Sequence, residues 1–177
     1  MVIRSTTVLA VRRNGVTAMA ADGQVTLQDR TIKHTARKVR SINNGSALIG
    51  IAGSAADAQT LADRIESKLQ ASNGNLRRAA VEFAKEWRSD KVLRHLDAMI
   101  LAADKECVLA IGGDGNVLEP DEGVIGIGSG GGYAHAAALA LIRGTELGAE
   151  QIARAALEVS AEICIFTNDK IIIETIG

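Results

Sequence analysis

Aromatic side chains are nearly missing from this chain: one Trp, one Tyr and two Phe among 177 residues. Proteins that hold single-stranded nucleic acid stack bases on such rings, so a stacking platform is scarce. An excess of charge of one sign is missing too. A net charge of −1 and a pI near 6.3 leave no electrostatic footprint for nucleic acid or an anionic membrane. Only two cysteines occur, Cys107 and Cys164, far apart and each in an apolar run. They read as buried free thiols in a reducing compartment rather than a disulfide framework. No run approaches the roughly 18 consecutive apolar residues of a membrane span. The stretch before Thr6 is far too short for a secretory signal. The cytoplasm is the expected location.

What is present suits one domain. A chain of 177 residues and 18.5 kDa buries roughly 70% of its unfolded surface. Hydrophobic content of 47% with mean hydropathy +0.12 leans towards extra buried surface at subunit contacts.

Strand signals open the sequence. Residues 6–13 alternate, Asn14-Gly15 is a two-residue hairpin turn, and 16–21 return to stop at Asp22-Gly23. Residues 24–27 read as a short continuation, 35–42 alternate again, and 47–52 form an apolar strand. Two helices follow. Ser54 suits an N-cap before the stripe Ala58, Leu61, Ala62, Ile65, Leu69. Leu76, Ala79, Ala80, Phe83, Ala84 and Trp87 repeat that period.

The second half reads as strands at 98–103, 106–111, 116–119 and 124–128, with Pro120 ending the third. A helix at 130–143 carries Tyr133, Ala136, Ala137, Ala140 and Leu141 on one face. Another helix spans 149–160, and strands at 162–167 and 170–175 close the chain. Strands, helix pair, strands, helix pair, strands is not the alternation of a parallel doubly wound sheet. It suits an α+β fold: two mostly antiparallel sheets face to face, with helix pairs outside.

Thr6 heads the first strand, and this position carries the chemistry. If residues 1–5 are cut away, Thr6 gains a free amine beside its own hydroxyl, a general base and a nucleophile in one residue. Asp22 stands at a strand end and Lys38 on a later strand, where both can turn inward. Gly50-Ile51-Ala52-Gly53 leads from strand to helix, where a backbone N–H can face a developing oxyanion. Ser129 sits between a strand and a helix. A free α-amine titrates at about 7.7–8.0, and a nearby Lys38 cation disfavours its charged form. Asp22 in turn fixes Lys38 in place. Ser5 is the competing nucleophile if cutting falls one residue earlier.

Other patterns have rival readings. Gly126-Ile127-Gly128-Ser129-Gly130-Gly131 matches G-x-G-x-x-G, with Glu146 about 20 residues on, but a dinucleotide site needs parallel βαβ context. Arg30, Lys33, His34, Arg37, Lys38 and Arg40 form a basic cluster that suits a solvated face or a phosphate contact. His34, His95 and His135 show no ligand-like spacing, so no zinc site is expected.

The stretches 6–15, 22–27, 79–90 and 163–168, with Ala36-Arg37-Lys38-Val39-Arg40 and Ile125-Gly126-Ile127-Gly128-Ser129-Gly130-Gly131, resemble the HslV (ClpQ) family. These are peptidase subunits of bacterial ATP-dependent proteases, related to proteasome β subunits. The resemblance runs from Thr6 to about Ile176. It implies an N-terminal nucleophile hydrolase with a four-layer αββα sandwich. Residues 1–5 would be a leader and 6–177 a single peptidase domain. It implies two stacked hexameric rings with the sites inside, fed unfolded chains by a hexameric HslU-type (ClpY) ATPase that consumes the ATP. By the same resemblance Thr6 is the nucleophile, Lys38 the active-site lysine and Asp22 its partner. Gly50 gives an oxyanion N–H, and Ser129 bonds the new amine. No cofactor is required in this subunit, and a sodium ion would sit on backbone carbonyls of Ala161, Cys164 and Thr167.

Departures from the family pattern fall beside these positions: Ala21 for Gly, His34-Thr35 for Gly-Asn, Ile51 for Phe, Gly132 for Pro and Ala161 for Gly. None removes a catalytic group. The expected activity is that of a threonine endopeptidase, the alternative a catalytically silent, ring-forming structural subunit.

Overall fold

The computed structural model describes residues 3–4, 6–53 and 55–177; Ser5 and Ser54, expected as rival nucleophile and helix cap, lie outside the described residues. In chain order the elements are β1 (Ile3–Arg4), β2 (Thr7–Arg13), β3 (Val16–Ala21), β4 (Val25–Leu27), β5 (Arg30–Lys33), β6 (Val39–Ile42) and β7 (Ala47–Ala52). Helices α1 (Ala55–Ala71) and α2 (Leu76–Ser89) follow, then β8 (Met99–Ala103), β9 (Val108–Gly112), β10 (Val117–Leu118) and β11 (Val124–Gly128). Helices α3 (Gly131–Gly144) and α4 (Ala149–Ile163) precede β12 (Ile172–Ile176).

Two antiparallel sheets stack. One has the order β11-β2-β3-β12, the other β10-β9-β8-β7-β6. Alternation along each strand divides its side chains between two apolar layers. Val8 and Ala10 of β2 meet Leu48, Leu101 and Ala103 of the facing sheet, whereas Leu9 and Val11 turn to Ala153, Ala156 and Leu157 of α4. A third layer packs Ile49 and Ile51 of β7 on α1 and α2. Both faces of each central strand are therefore dry, and Val8 through Val11 are all fully buried. Small residues permit this close stacking of sheets. Trp87, wholly buried at 5.4 Å from the Phe83 ring, anchors α2 and donates its Nε1–H to the Leu93 carbonyl. The four-layer α+β sandwich expected from the sequence is the fold observed.

Several local expectations are corrected. Residues 24–27 do not continue β3: β4 leaves that sheet to pair with β5 and β1 in a separate three-stranded sheet. Only Val39–Ile42 of the expected 35–42 strand is regular, because residues 34–38 wrap backwards around Gly23. The Ala36 amide donates to the Gly23 carbonyl at 2.9 Å. The expected strand at 162–167 is instead the end of α4 and a turn. Ile163 completes the helix, Thr167 N–H donates to the Cys164 carbonyl at 3.0 Å, and Ile165 is 81% exposed. On α3, of the residues expected to share one face, Ala137 and Leu141 pack against the core. Gly131, Ala134 and Ala138 are buried, while Tyr133, Ala136 and Ala140 face out. Alanine covers this helix all round, so apolar periodicity does not select a side.

No helix among the described residues is long and apolar enough to cross a membrane.

Candidate active site

Asp22 directly follows β3, and its carboxylate is fully buried. Such a charge persists inside a protein only when paired and hydrogen-bonded. Oδ1 accepts from Lys38 Nζ at 2.8 Å and from the Thr7 amide at 2.9 Å. Oδ2 accepts from the Gln24 amide at 2.8 Å, the local turn that a short Asp side chain favours, and from the Asn168 amide at 3.4 Å. The Lys38 side chain is 7% exposed. Burial holds its pKa below 10.5, and Asp22 opposes that shift by its charge and its hydrogen bond. Lys38 is thus a desolvated ammonium on a fixed anion.

Thr6 sits at the entrance to β2 and is buried, with its carbonyl accepting the Ser129 amide at 3.0 Å. One residue on, Thr7 Oγ1 accepts the Gly130 amide at 3.0 Å and shares a hydrogen bond with Thr167 Oγ1 at 2.7 Å. Ser160 Oγ donates to the Gly130 carbonyl at 2.9 Å. Two successive amides thereby zip the turn at 128–130 onto residues 6–7. Gly128, at φ +86°, needs glycine twice over: a Cβ there would lie 1.8 Å from the Thr6 carbonyl oxygen.

This accounts for the G-x-G-x-x-G pattern without a nucleotide. A Cβ on Gly126 would meet the Gly131 carbonyl oxygen at 2.2 Å, and β11 runs antiparallel to β2 rather than in a parallel βαβ unit. The glycines let the turn press on the Thr6 backbone.

Thr6 and Lys38 line one cavity of about 110 Å³, walled by Ile49, Ile51, Gly53 and Ala58. The structure therefore brings together Thr6, Asp22, Lys38 and the backbone of exposed Ser129. Gly50 lies inside β7, flanked in register by Val39 and Leu101. A Cβ there would come within 2.5 Å of Val8 Cγ1, so sheet packing alone demands glycine. Of the basic cluster, Arg30, Lys33, His34, Arg37 and Arg40 are exposed, and Lys38 alone turns its side chain inward.

Ala161, Cys164 and Thr167 sit together where α4 ends. The Cys164 amide closes on the Ser160 carbonyl at 2.8 Å, and the Cys164 carbonyl takes the Thr167 amide. Among the described residues no group of three His, Cys, Asp or Glu side chains is placed to hold a metal. Of the departures from the family pattern, Ile51 shapes the cavity wall and Ala21 is buried between the sheets, while Gly132 has open space around it.

Sequence reasoning did not single out Thr7, Ser160 or Asn168, and took Thr167 only as a cation ligand. Their roles arise from contacts between distant segments, such as Thr7 with Thr167, which no local pattern marks.

Comparison with known proteins agrees with this geometry. The family model described as proteasome subunit matches residues 2–176. The ATP-dependent protease subunit HslV of Aquifex aeolicus (strain VF5) is 54% identical, over 99% of this chain and 100% of that protein. The ATP-dependent protease subunit ClpQ of Bacillus licheniformis is 57% identical over 96% of each chain. The crystal structure of eukaryotic HslV from Trypanosoma brucei superposes with a TM-score of 0.92 at 42% identity, covering 97% of this chain and 99% of that one. The sandwich with a buried lysine–carboxylate pair near Thr6 and the full-length match to these relatives agree: the chain belongs to the proteasome subunit family, among the HslV (ClpQ) subunits of ATP-dependent proteases.

Proposed function

We propose that Thr6, exposed as the first residue by removal of residues 1–5, is the nucleophile with which this peptidase subunit of an ATP-dependent protease cleaves polypeptides. The single observation that carries the assignment is the shared cavity of Thr6 and Lys38, with Lys38 held by buried Asp22. The freed amine takes the proton from Thr6 Oγ1 as the oxygen attacks the substrate carbonyl carbon. The tetrahedral oxyanion then collapses, the amine returns the proton to the leaving peptide nitrogen, and an ester to Thr6 remains. Water, activated by the same amine, hydrolyses that ester. Positioned proton transfer contributes about 10²–10⁴-fold, and one oxyanion donor about 10²–10³-fold.

In this reading the Lys38 cation depresses the pKa of the amine, and Asp22 keeps the lysine charged and in place. The Gly50 amide is the proposed oxyanion donor, and Ser129, whose own amide is anchored on Thr6, bonds the new amine. Residues 1–5 act as a leader and 6–177 as one peptidase domain.

An ATPase partner delivers the substrate chains. For the assembly we propose two stacked hexameric rings enclosing the sites, beside a hexameric unfoldase of the HslU (ClpY) type. Exposed Val92, Leu118, Ile163 and Ile165 are apolar surface of the kind that subunit contacts cover. The cytoplasm is the proposed compartment, in keeping with free Cys107 and Cys164; burial and Asp104 push the Cys107 thiol up to about 12. The chemistry needs no cofactor, and a sodium ion on the carbonyls of Ala161, Cys164 and Thr167 would serve to brace the turn.

Replacing Thr6 by Ala tests the assignment. Loss of peptide hydrolysis with the assembly intact supports the enzyme. Unchanged hydrolysis removes Thr6 from the mechanism, and absent hydrolysis in the mature wild type as well leaves a structural subunit.

A further inference from the structure

The segments that carry Asp22 and Lys38 touch backbone to backbone. A Cβ on Gly23 would lie 2.2 Å from the His34 carbonyl oxygen, so this approach leaves no room for any side chain. One side chain clasps the contact. Asn168, in the turn between α4 and β12, accepts the Gly23 amide on Oδ1 at 3.0 Å and donates from Nδ2 to the His34 carbonyl at 3.0 Å. Its Oδ1 also accepts the Lys170 amide at 3.2 Å, and its own amide points at Asp22 Oδ2 at 3.4 Å. Two N–H donors on one side and a carbonyl on the other fix which way the carboxamide faces. A carboxylate could keep the Gly23 bond but would set an oxygen against the His34 oxygen. Alanine would keep neither.

We infer that Asn168 is a positioning residue for the Lys38–Asp22 pair: its carboxamide joins the amide next to Asp22 to the loop that leads into Lys38, and so sets their separation. The inference rests on the peptidase reading of Thr6. It adds a residue from the far end of the chain that touches neither substrate nor the reacting atoms. The 2.8 Å bond between Lys38 and Asp22 depends on two loops that no β-ladder joins at residues 23 and 34–36. With the clasp removed, the junction keeps the Ala36–Gly23 backbone bond and the ion pair, and beyond it the β4–β5 pairing that begins at Val25 and Lys33. The titratable and charged side chains on the joined segments are Asp22, His34, Arg37, Lys38, Asp169 and Lys170.

The test uses the mature assembly with its ATPase partner and a fluorogenic tripeptide, comparing wild type, Asn168→Ala, Asn168→Asp and Thr6→Ala. A displacement of the order of 1 Å at a reacting group costs as much as about 10²-fold in rate. Asn168→Ala is expected to lower kcat by about 10- to 100-fold with KM within about threefold. Asn168→Asp, nearly isosteric, should also lower kcat. Its added negative charge stabilises the cationic amine, so the acid limb of its pH–rate profile should move upward, whereas Asn168→Ala moves it less.

Either variant keeping wild-type kcat and pH profile while Thr6→Ala is inactive would overturn the inference and spare the peptidase reading. So would losses in both variants that merely follow a lower melting temperature with an unmoved acid limb in Asn168→Asp. If Thr6→Ala hydrolyses like wild type, the peptidase reading itself has failed. Should Asn168→Ala not assemble, Asn168→Asp decides by its kcat and its acid limb.

Discussion

Lys38 Nζ lies 2.8 Å from Asp22 Oδ1, the same oxygen that receives the Thr7 amide at 2.9 Å. One buried atom thus ties the Lys38 ammonium to the peptide unit immediately after Thr6, the proposed nucleophile. In the proposed mechanism, stability and catalysis meet at that atom.

Asp22→Asn is therefore expected to damage both. The amide keeps the shape but presents one acceptor oxygen to four donors, and it leaves Lys38 without a counter-charge in a buried site. Broken buried ion pairs and hydrogen bonds to charged groups cost about 2–5 kcal/mol. At about 2–4 °C per kcal/mol for a chain of this size, the melting temperature should fall by roughly 4–20 °C. Peptidase activity should fall by about 10²-fold or more. A melt and a rate within error of wild type would refute the pairing.

The lysine makes a prediction about pH. Burial holds the Lys38 pKa below 10.5 in the folded protein. Between that lowered value and 10.5 the unfolded chain binds more protons than the folded one, so stability rises as pH climbs through this window. The gain should vanish in Lys38→Met, measured as the difference between the two proteins' melting temperatures across alkaline pH. The same variant removes the cation beside the amine. Its residual kcat/KM should show an acid limb moved up towards about 7.7–8.0. A limb moved down, or unmoved, would contradict the role given to Lys38.

Gly128→Ala probes the turn on which Thr6 rests. A methyl group at φ +86° is strained, and the ideal Cβ position lies 1.8 Å from the Thr6 carbonyl oxygen. The strain alone is worth about 1–3 kcal/mol. The Ser129 and Gly130 amides must shift with it, which should lower kcat by about tenfold or more. A chemical-denaturant midpoint and a steady-state rate settle the point, and wild-type values for both would show that the turn yields freely.

Much of this was legible in the sequence, for reasons particular to each segment. Asn14 and Gly15 adopt φ of 53° and 79°, as their turn chemistry requires. On α2 all six residues of the expected stripe are buried, because Leu76, Phe83 and Trp87 stand against charged neighbours and leave one apolar face. Helix α3 offers no such contrast, so apolar spacing does not single out its buried residues Gly131, Ala134 and Ala138. The run from Ile163 to Phe166 has strand composition, yet the carbonyls that end α4 draw it into a turn. Asp22 and Lys38 were visible as a charged pair awaiting a fold. The hydroxyl links among Thr7, Ser160 and Thr167 were not, since each bond joins segments that only the tertiary structure brings together.

The most direct test is the N-terminus of the active protein. Intact-mass measurement and N-terminal sequencing of the purified, hydrolysing assembly should find Thr6 first, with activity proportional to the processed fraction. Full activity in a chain that retains Met1, or that begins at Ser5, would contradict the account, because the Thr6 nitrogen would then be an amide with no basic lone pair.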